Sequence, residues 1–152
     1  MTIETQFGPI QAAINADGAL TELKFGPANG NGGNGNGAGN PAVIQQLNEF
    51  FAGKRKTFDL SMAPEGSDFQ KQVWAELTRI PYGETISYAE LAKRLGRNGA
   101  ARAVGRANAT NPIAVVVPCH RVIGADGSLT GYAYGVELKR SLLDFERGQA
   151  HL

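Results

Sequence analysis

The sequence predicts an α+β chain in two parts, a β-rich part over residues 1–64 built on an antiparallel sheet and a mainly helical part over 65–152. Three observations carry that division. Residues 1–25 hold short alternating apolar stretches separated by the turn signals Gly8-Pro9 and Asp17-Gly18. The texture changes near Pro64. Beyond it, Ser67-Asp68-Phe69-Gln70 and Ser87-Tyr88-Ala89-Glu90 are capping-box patterns, each opening an apolar series at helical spacing. With 152 residues, 42% of them apolar, the chain can build one ordinary domain or two small ones packed together.

The elements follow in order. Ile10, Ala12 and Ile14 share one face of a strand, and Leu20, Leu23 and Phe25 follow after the second turn, which makes an antiparallel meander. The stretch from Gly26 to Asn40 is almost entirely Gly, Asn, Ala and Pro and reads as a flexible loop with no assigned role. Pro41 opens a helix whose apolar face is Val43, Ile44, Leu47, Phe50 and Phe51, and Gly53 ends it. Phe69, Val73, Leu77 and Ile80 line the next helix, stopped by Pro81. A short helix from Ser87 to Gly96 and another from about Ala100 to Asn108 make a helix-turn-helix. Ile113 to Val117 reads as a buried extended segment, Asp126-Gly127 as a turn, and Val136 to Glu146 as a last helix with Leu138, Leu142 and Leu143 inward.

Charge is unevenly placed. Residues 1–66 carry 4 Lys/Arg and 6 Asp/Glu, whereas 67–152 carry 11 and 8. Lys93, Arg94, Arg97, Arg102, Arg106 and Arg121 come with no acidic residue between them, a run that can form one electropositive face or a merely solvated surface. The single cysteine excludes an intrachain disulfide and suits a reducing compartment. Met1 to Gly8 has no signal-peptide pattern, and no apolar run approaches membrane-spanning length. A soluble cytoplasmic protein is expected, nuclear if the source is eukaryotic.

Pro118-Cys119-His120-Arg121-Val122 is the most chemically informative stretch. A free cysteine is commonly just a buried apolar group. Here Pro118 can turn the chain out of the apolar run, and the thiol has an imidazole and a guanidinium beside it, the kinds of group that make a thiolate at neutral pH. Sequence neighbours on an extended chain point apart, so a water between Cys119 and His120 is one way to link them. Glu146 stands in the last turn of a helix, where a carboxylate opposes the macrodipole. Either it is solvated, or it holds the imidazole of His120 in a nucleophile, base and orienter series. The helix over 100–108 is dominated by small residues and offers few long polar side chains for major-groove reading. Small residues suit close approach to a narrow minor groove with Arg102 as a long probe, or tight internal packing at Ala103 and Ala107.

At this point the sequence resembles the O6-alkylguanine-DNA alkyltransferase (methylated-DNA–protein-cysteine methyltransferase) family. The resemblance runs from Phe69-Gln70 and Val73-Trp74 to Glu146. It passes through Ile80-Pro81-Tyr82-Gly83-Glu84-Thr85, Ser87-Tyr88, Ala101-Arg102-Ala103-Val104-Gly105, Asn111-Pro112, Pro118 to Val122, Gly131-Tyr132 and Leu142-Leu143. The first part matches chiefly at Phe50-Phe51-Ala52-Gly53-Lys54. The resemblance implies a ribonuclease H-like N-terminal domain and a winged-helix-like C-terminal domain containing the helix-turn-helix. It implies single-turnover repair in which O6-alkylguanine is flipped out of duplex DNA and its alkyl group passes irreversibly to Cys119. His120 is then the base acting through a water, Glu146 its orienter, and Asn111 the brace of the cysteine segment. Tyr88 hydrogen-bonds the guanine or its phosphate, and Arg102 fills the place of the flipped nucleotide. Ala101, Gly105, Arg106 and Arg94 complete the DNA-binding set. Val122, Tyr132, Ala133 and Tyr134 line the substrate pocket. No metal or other cofactor is implied. The partner is double-stranded DNA with O6-alkylguanine, with O4-alkylthymine as an added substrate left open, and the protein acts as a monomer away from membranes. A non-catalytic lesion-binding module, a Cys-His-Glu hydrolase and a sequence-specific regulator are the alternatives. The first lacks an acceptor cysteine, the second needs an oxyanion hole, and the third needs a helix with more polar reach.

Overall fold

Ile10, Ala12 and Ile14 alternate along one strand, and in the computed structural model of the chain that strand is the middle of a three-stranded antiparallel sheet. Residues 1–27, 40–129 and 131–148 are described, so most of the Gly/Asn stretch expected as a loop lies outside the described residues. The sheet runs β1 (Thr2–Thr5), β2 (Gly8–Ile14), β3 (Leu20–Phe25) in that order. A register shift between Ala13 and Ile14 leaves one extra residue on β3. Leu20 and Leu23, three apart, are therefore both fully buried, whereas Phe25 is half-buried.

Helix α1 (Pro41–Phe51) starts where the side chain of Asn40 accepts from the Ala42 amide and Pro41 occupies the first turn. It buries Val43, Leu47, Phe50 and Phe51, and burial of each such side chain stabilises by about 1.5–3 kcal/mol. The expectation for Ile44 is corrected: it is 39% exposed. The neighbouring inward position belongs to Gln46, whose amide group bonds both the N–H (2.9 Å) and the carbonyl (3.1 Å) of Asp59. A buried amide with both ends satisfied fits a core as well as an isoleucine does.

By contacts the chain divides into two units, Met1–Glu65 with Pro112–Val116 and Gly66–Asn111 with Val117–Leu152. The expected split into 1–64 and 65–152 is therefore corrected at one segment. Leu23 donates its amide to the Pro112 carbonyl (2.8 Å) and accepts from the Ala114 amide (2.9 Å), which ties 112–116 to the first unit. That segment is buried but not extended. The Val116 amide bonds the Ala114 carbonyl across Val115, whose φ of +73° is a strained conformation for a β-branched residue.

In the second unit, α2 (Asp68–Leu77) opens on a complete capping box between Ser67 and Gln70. Its inward face is Val73, Trp74 and Leu77. Phe69 stays near the surface with the Arg97 guanidinium 4.9 Å from its ring centre, while Trp74 donates its indole N–H to the Ala107 carbonyl at 2.8 Å. Helix α3 (Tyr88–Arg94) is capped by Ser87, and α4 (Ala101–Ala109) packs on α2 and α3. Two residues on each side pair in parallel as β4 (Ile86–Ser87) and β5 (Val122–Ile123), so the segment after Cys119 is fastened beside the start of α3. Helix α5 (Val136–Glu146) buries Leu142 and Leu143, and also Lys139, Ser141 and Glu146. Among the described residues no helix is long and apolar enough to cross a membrane.

Candidate active site

Pro118 sets the geometry of the site. With φ −83° and ψ 66° it makes a tight turn in which the Cys119 amide bonds the Val117 carbonyl at 2.8 Å. Cys119–Arg121 then form one 3-10 turn whose three consecutive side chains are all buried. Two amides brace it: Asn111 Nδ2 donates to the Val117 carbonyl (2.8 Å) and Asn108 Nδ2 to the Cys119 carbonyl (3.4 Å).

His120 Nε2 lies 2.7 Å from Glu146 Oε2. Arg121 grips the same carboxylate from the other side, Nε to Oε1 at 2.8 Å and Nη2 to Oε2 at 2.9 Å, and its Nη1 donates to the Ile80 carbonyl at 2.7 Å. Both side chains of the His120–Glu146 pair are fully enclosed. Burial works against charge on Glu146, but the bonds from His120 and Arg121 outweigh it and bring the carboxyl down to about 2. Burial also lowers the His120 pKa; Glu146 opposes this, and the charges of Arg121 and Lys139 reinforce it. The imidazole is thus neutral at neutral pH. An ionised carboxylate only accepts, so Nε2 carries the hydrogen and Nδ1 is a bare lone pair. Nδ1 has no protein partner among the described residues. That is a base held in one tautomer.

Burial pushes the Cys119 thiol up, opposed by a hydrogen bond from Asn111 and by the charge of Lys139. The resting sulfur is therefore a thiol that needs a base. Tyr88 is raised as well, by burial and by Cys119, so its phenol stays a hydrogen donor through the neutral range. Glycine is required at 131: its φ is +78°, and a Cβ there would sit 2.8 Å from the Tyr88 hydroxyl. Beyond it, Tyr132 is buried, Ala133 is exposed, and half-buried Tyr134 meets the Tyr132 ring edge-on at 5.5 Å. Val122 is fully buried.

On α4, Arg102 and Arg106 are exposed one turn apart, with Ala101 and Gly105 half-buried between them and the interior. Arg94 is paired with Glu90 at 3.0 Å. The basic run needs a correction at its far end: Arg121 is enclosed and neutralised by Glu146, so the exposed charges stop at Arg106. Asn108 and Lys139 are the site residues that sequence reasoning missed, and Arg121, expected beside the thiol, instead holds Glu146. Lys139 left a trace, since it lies two turns before Glu146 on the face carrying Leu142 and is the one cation in that apolar stripe. The bonding of Arg121 to Glu146 left none, because the direction of a side chain on a 3-10 turn is not periodic.

The chain matches the model of the 6-O-methylguanine DNA methyltransferase, DNA binding domain, over residues 68–148. It is 59% identical over 102 residues to a methylated-DNA–protein-cysteine methyltransferase of Methanosarcina acetivorans, covering 67% of this chain and 65% of that protein. It is 56% identical over 108 residues to one of Mycobacterium bovis, covering 71% and 66%. The matched part thus spans slightly under two thirds of those relatives. Its structure is similar to that of Mycobacterium tuberculosis OGT in complex with DNA (TM-score 0.87, 45% identity, 98% of this chain and 92% of that one). It is also similar to an O6-methylguanine DNA methyltransferase from Methanococcus jannaschii (TM-score 0.70, 26% identity, 100% and 96%).

Proposed function

The chain belongs to the 6-O-methylguanine DNA methyltransferase family, and from that premise we propose that it removes alkyl groups from O6-alkylguanine in duplex DNA onto Cys119, once per molecule. The observation that carries this reading is the enclosed Cys119 beside a neutral His120 locked in one tautomer by the ionised Glu146. His120 Nδ1 takes the thiol proton, directly or through a water, and the imidazolium that forms is stabilised by the carboxylate already bonded to Nε2. The sulfur attacks the alkyl carbon in line, the carbon–oxygen bond breaks, and the phenol of Tyr88 donates to the departing guanine so that it leaves without full negative charge. The product is a thioether, which none of these groups can cleave. With alkylated duplex in excess, guanine restored should level off at one per protein. Continued product formation would instead identify a Cys-His-Glu hydrolase.

A stacked lesion cannot reach an enclosed sulfur, so the base must leave the helix. In this proposal α3 and α4 are a helix-turn-helix in a winged-helix-like domain, and the first unit is a ribonuclease H-like domain. The small residues Ala101 and Gly105 admit close approach to the minor groove, Arg102 props the gap, and Arg94 and Arg106 meet phosphates. Arg102→Ala is expected to slow repair in duplex DNA at least tenfold more than reaction with the free alkylated base, which needs no flipping. Equal losses on both substrates, in single-turnover assays, would place Arg102 in folding or chemistry instead.

Val122, Tyr132, Ala133 and Tyr134 form the proposed alkyl pocket, and Tyr134 narrows it by standing edge-on to Tyr132. Methyl should therefore transfer faster than benzyl. Tyr134→Gly should raise the benzyl rate much more than the methyl rate, and an unchanged ratio would remove Tyr134 from the pocket.

A further inference from the structure

An aromatic ring in the first turn of a helix ordinarily turns inward, yet Phe69 on α2 is only half-buried and carries the Arg97 guanidinium 4.9 Å from its centre. Arg97 stands in the turn between α3 and α4. Its amide donates to the Ala92 carbonyl (2.9 Å) and its carbonyl accepts from the Ala100 amide (3.0 Å), so its backbone is fixed between the two helices. Its side chain is exposed. Among the described residues it makes no ion pair, not even with Asp68 beside Phe69, and its side-chain N–H groups have no acceptor. Arg94, at the end of α3, is by contrast held by Glu90 at 3.0 Å. A ring under a guanidinium restrains a long side chain without using its hydrogen bonds, because stacking takes the flat face and the N–H donors lie in the plane. A carboxylate partner would have taken those donors and cancelled the charge. What remains is a whole positive charge, oriented in advance, with a planar fork of donors open to solvent. It stands on the turn that leads into α4, where Arg102 and Arg106 are also exposed. The group that such a fork suits is a phosphate.

We infer that Arg97, laid on the ring of Phe69, is a phosphate-gripping arm of the DNA interface, and that Phe69 is the positioning residue that holds it ready. The inference rests on reading α3 and α4 as the DNA-binding helices. Orientation by the ring lowers the entropy lost when the side chain is immobilised on the duplex. The arm reads no sequence, since a phosphate is the same at every step, so it supplies affinity and register and leaves lesion recognition to the Cys119 site.

The test uses the full chain and an undamaged duplex, which offers Cys119 nothing to react with, in fluorescence anisotropy over a salt series. In a plot of log affinity against log salt, Arg97→Ala should flatten the slope by about 0.9, the share of one phosphate, and weaken binding about fivefold near physiological salt. Arg97→Lys should keep the slope, because the charge stays, with an affinity between those of parent and Arg97→Ala. Phe69→Leu should also keep the slope but weaken binding roughly two- to threefold, because only the orientation of the guanidinium is lost. A mere staple between α2 and the turn would behave differently: Arg97→Ala would lower the melting temperature and leave the slope alone. A slope in Arg97→Ala equal to that of the parent, or a Phe69→Leu affinity equal to that of the parent, would overturn the inference. Should Phe69→Leu fail to fold, Phe69→Met is read by the same criterion. Failure of the parent to bind the duplex at any salt would bring down the reading of α3 and α4 as well. A parent that binds, with a slope untouched by Arg97→Ala, removes this inference alone.

Discussion

Cys119→Ser should abolish alkyl transfer and keep binding to duplex DNA containing O6-methylguanine. Loss of an activated nucleophile elsewhere costs on the order of 10⁴-fold or more. Here the cost is sharpened because a hydroxyl is far less acidic than a thiol, so the same imidazole generates far less of the anionic nucleophile. The exposed groups proposed to meet DNA, Arg102 and Arg106 on α4, are untouched by the change. Single-turnover transfer and fluorescence anisotropy, measured on the same preparation, check both halves. A serine variant that loses DNA binding along with transfer would make Cys119 a structural residue.

Glu146→Gln should be the most destabilising single change in the site. Its carboxylate neutralises Arg121, which is 6% exposed, and breaking a buried pair from one side costs about 3–5 kcal/mol. That corresponds to a fall on the order of 10 °C in melting temperature for a chain of this size. The pH dependence has a definite sign. The folded carboxyl lies near 2, below its ordinary value of 4.5, so its contribution is complete above about 4.5 and is lost as pH falls towards 2. Parent and variant should therefore differ most at neutral pH and converge in acid. Transfer should fall as well, since a glutamine no longer stabilises the His120 cation. Equal melting temperatures at neutral pH, or curves that stay parallel down to pH 2, would contradict the account.

Local signals reached some of these residues and not others. Ser67 and Ser87 were legible as caps because a capping bond is made within three residues. The alternation of Ile10, Ala12 and Ile14 was legible because a sheet with one buried face imposes period two. Leu20 and Leu23 needed the bulge opposite Ala13 and Ile14, which depends on pairing and not on either strand alone. Ile44 and Gln46 exchanged roles because Asp59, distant in sequence, supplies both partners for a buried amide. The run 113–117 showed its burial through composition, but its path depends on the bonds of Pro112 and Ala114 to Leu23, with the turn at Val115 closed by the Val116 amide on the Ala114 carbonyl. In the site, adjacency marked Cys119 and His120, whereas the enclosure of Arg121 and Lys139 followed from a 3-10 turn lying against α5. A charged residue reads as surface until its partner is located.

Intact-mass measurement after incubation with a duplex containing one O6-methylguanine tests the central claim most directly. The whole protein population should gain one methylene, fragmentation should place it on Cys119, and the DNA should be left with unmodified guanine. An unchanged protein mass with repaired DNA, or a methyl group found on any other residue, would contradict it.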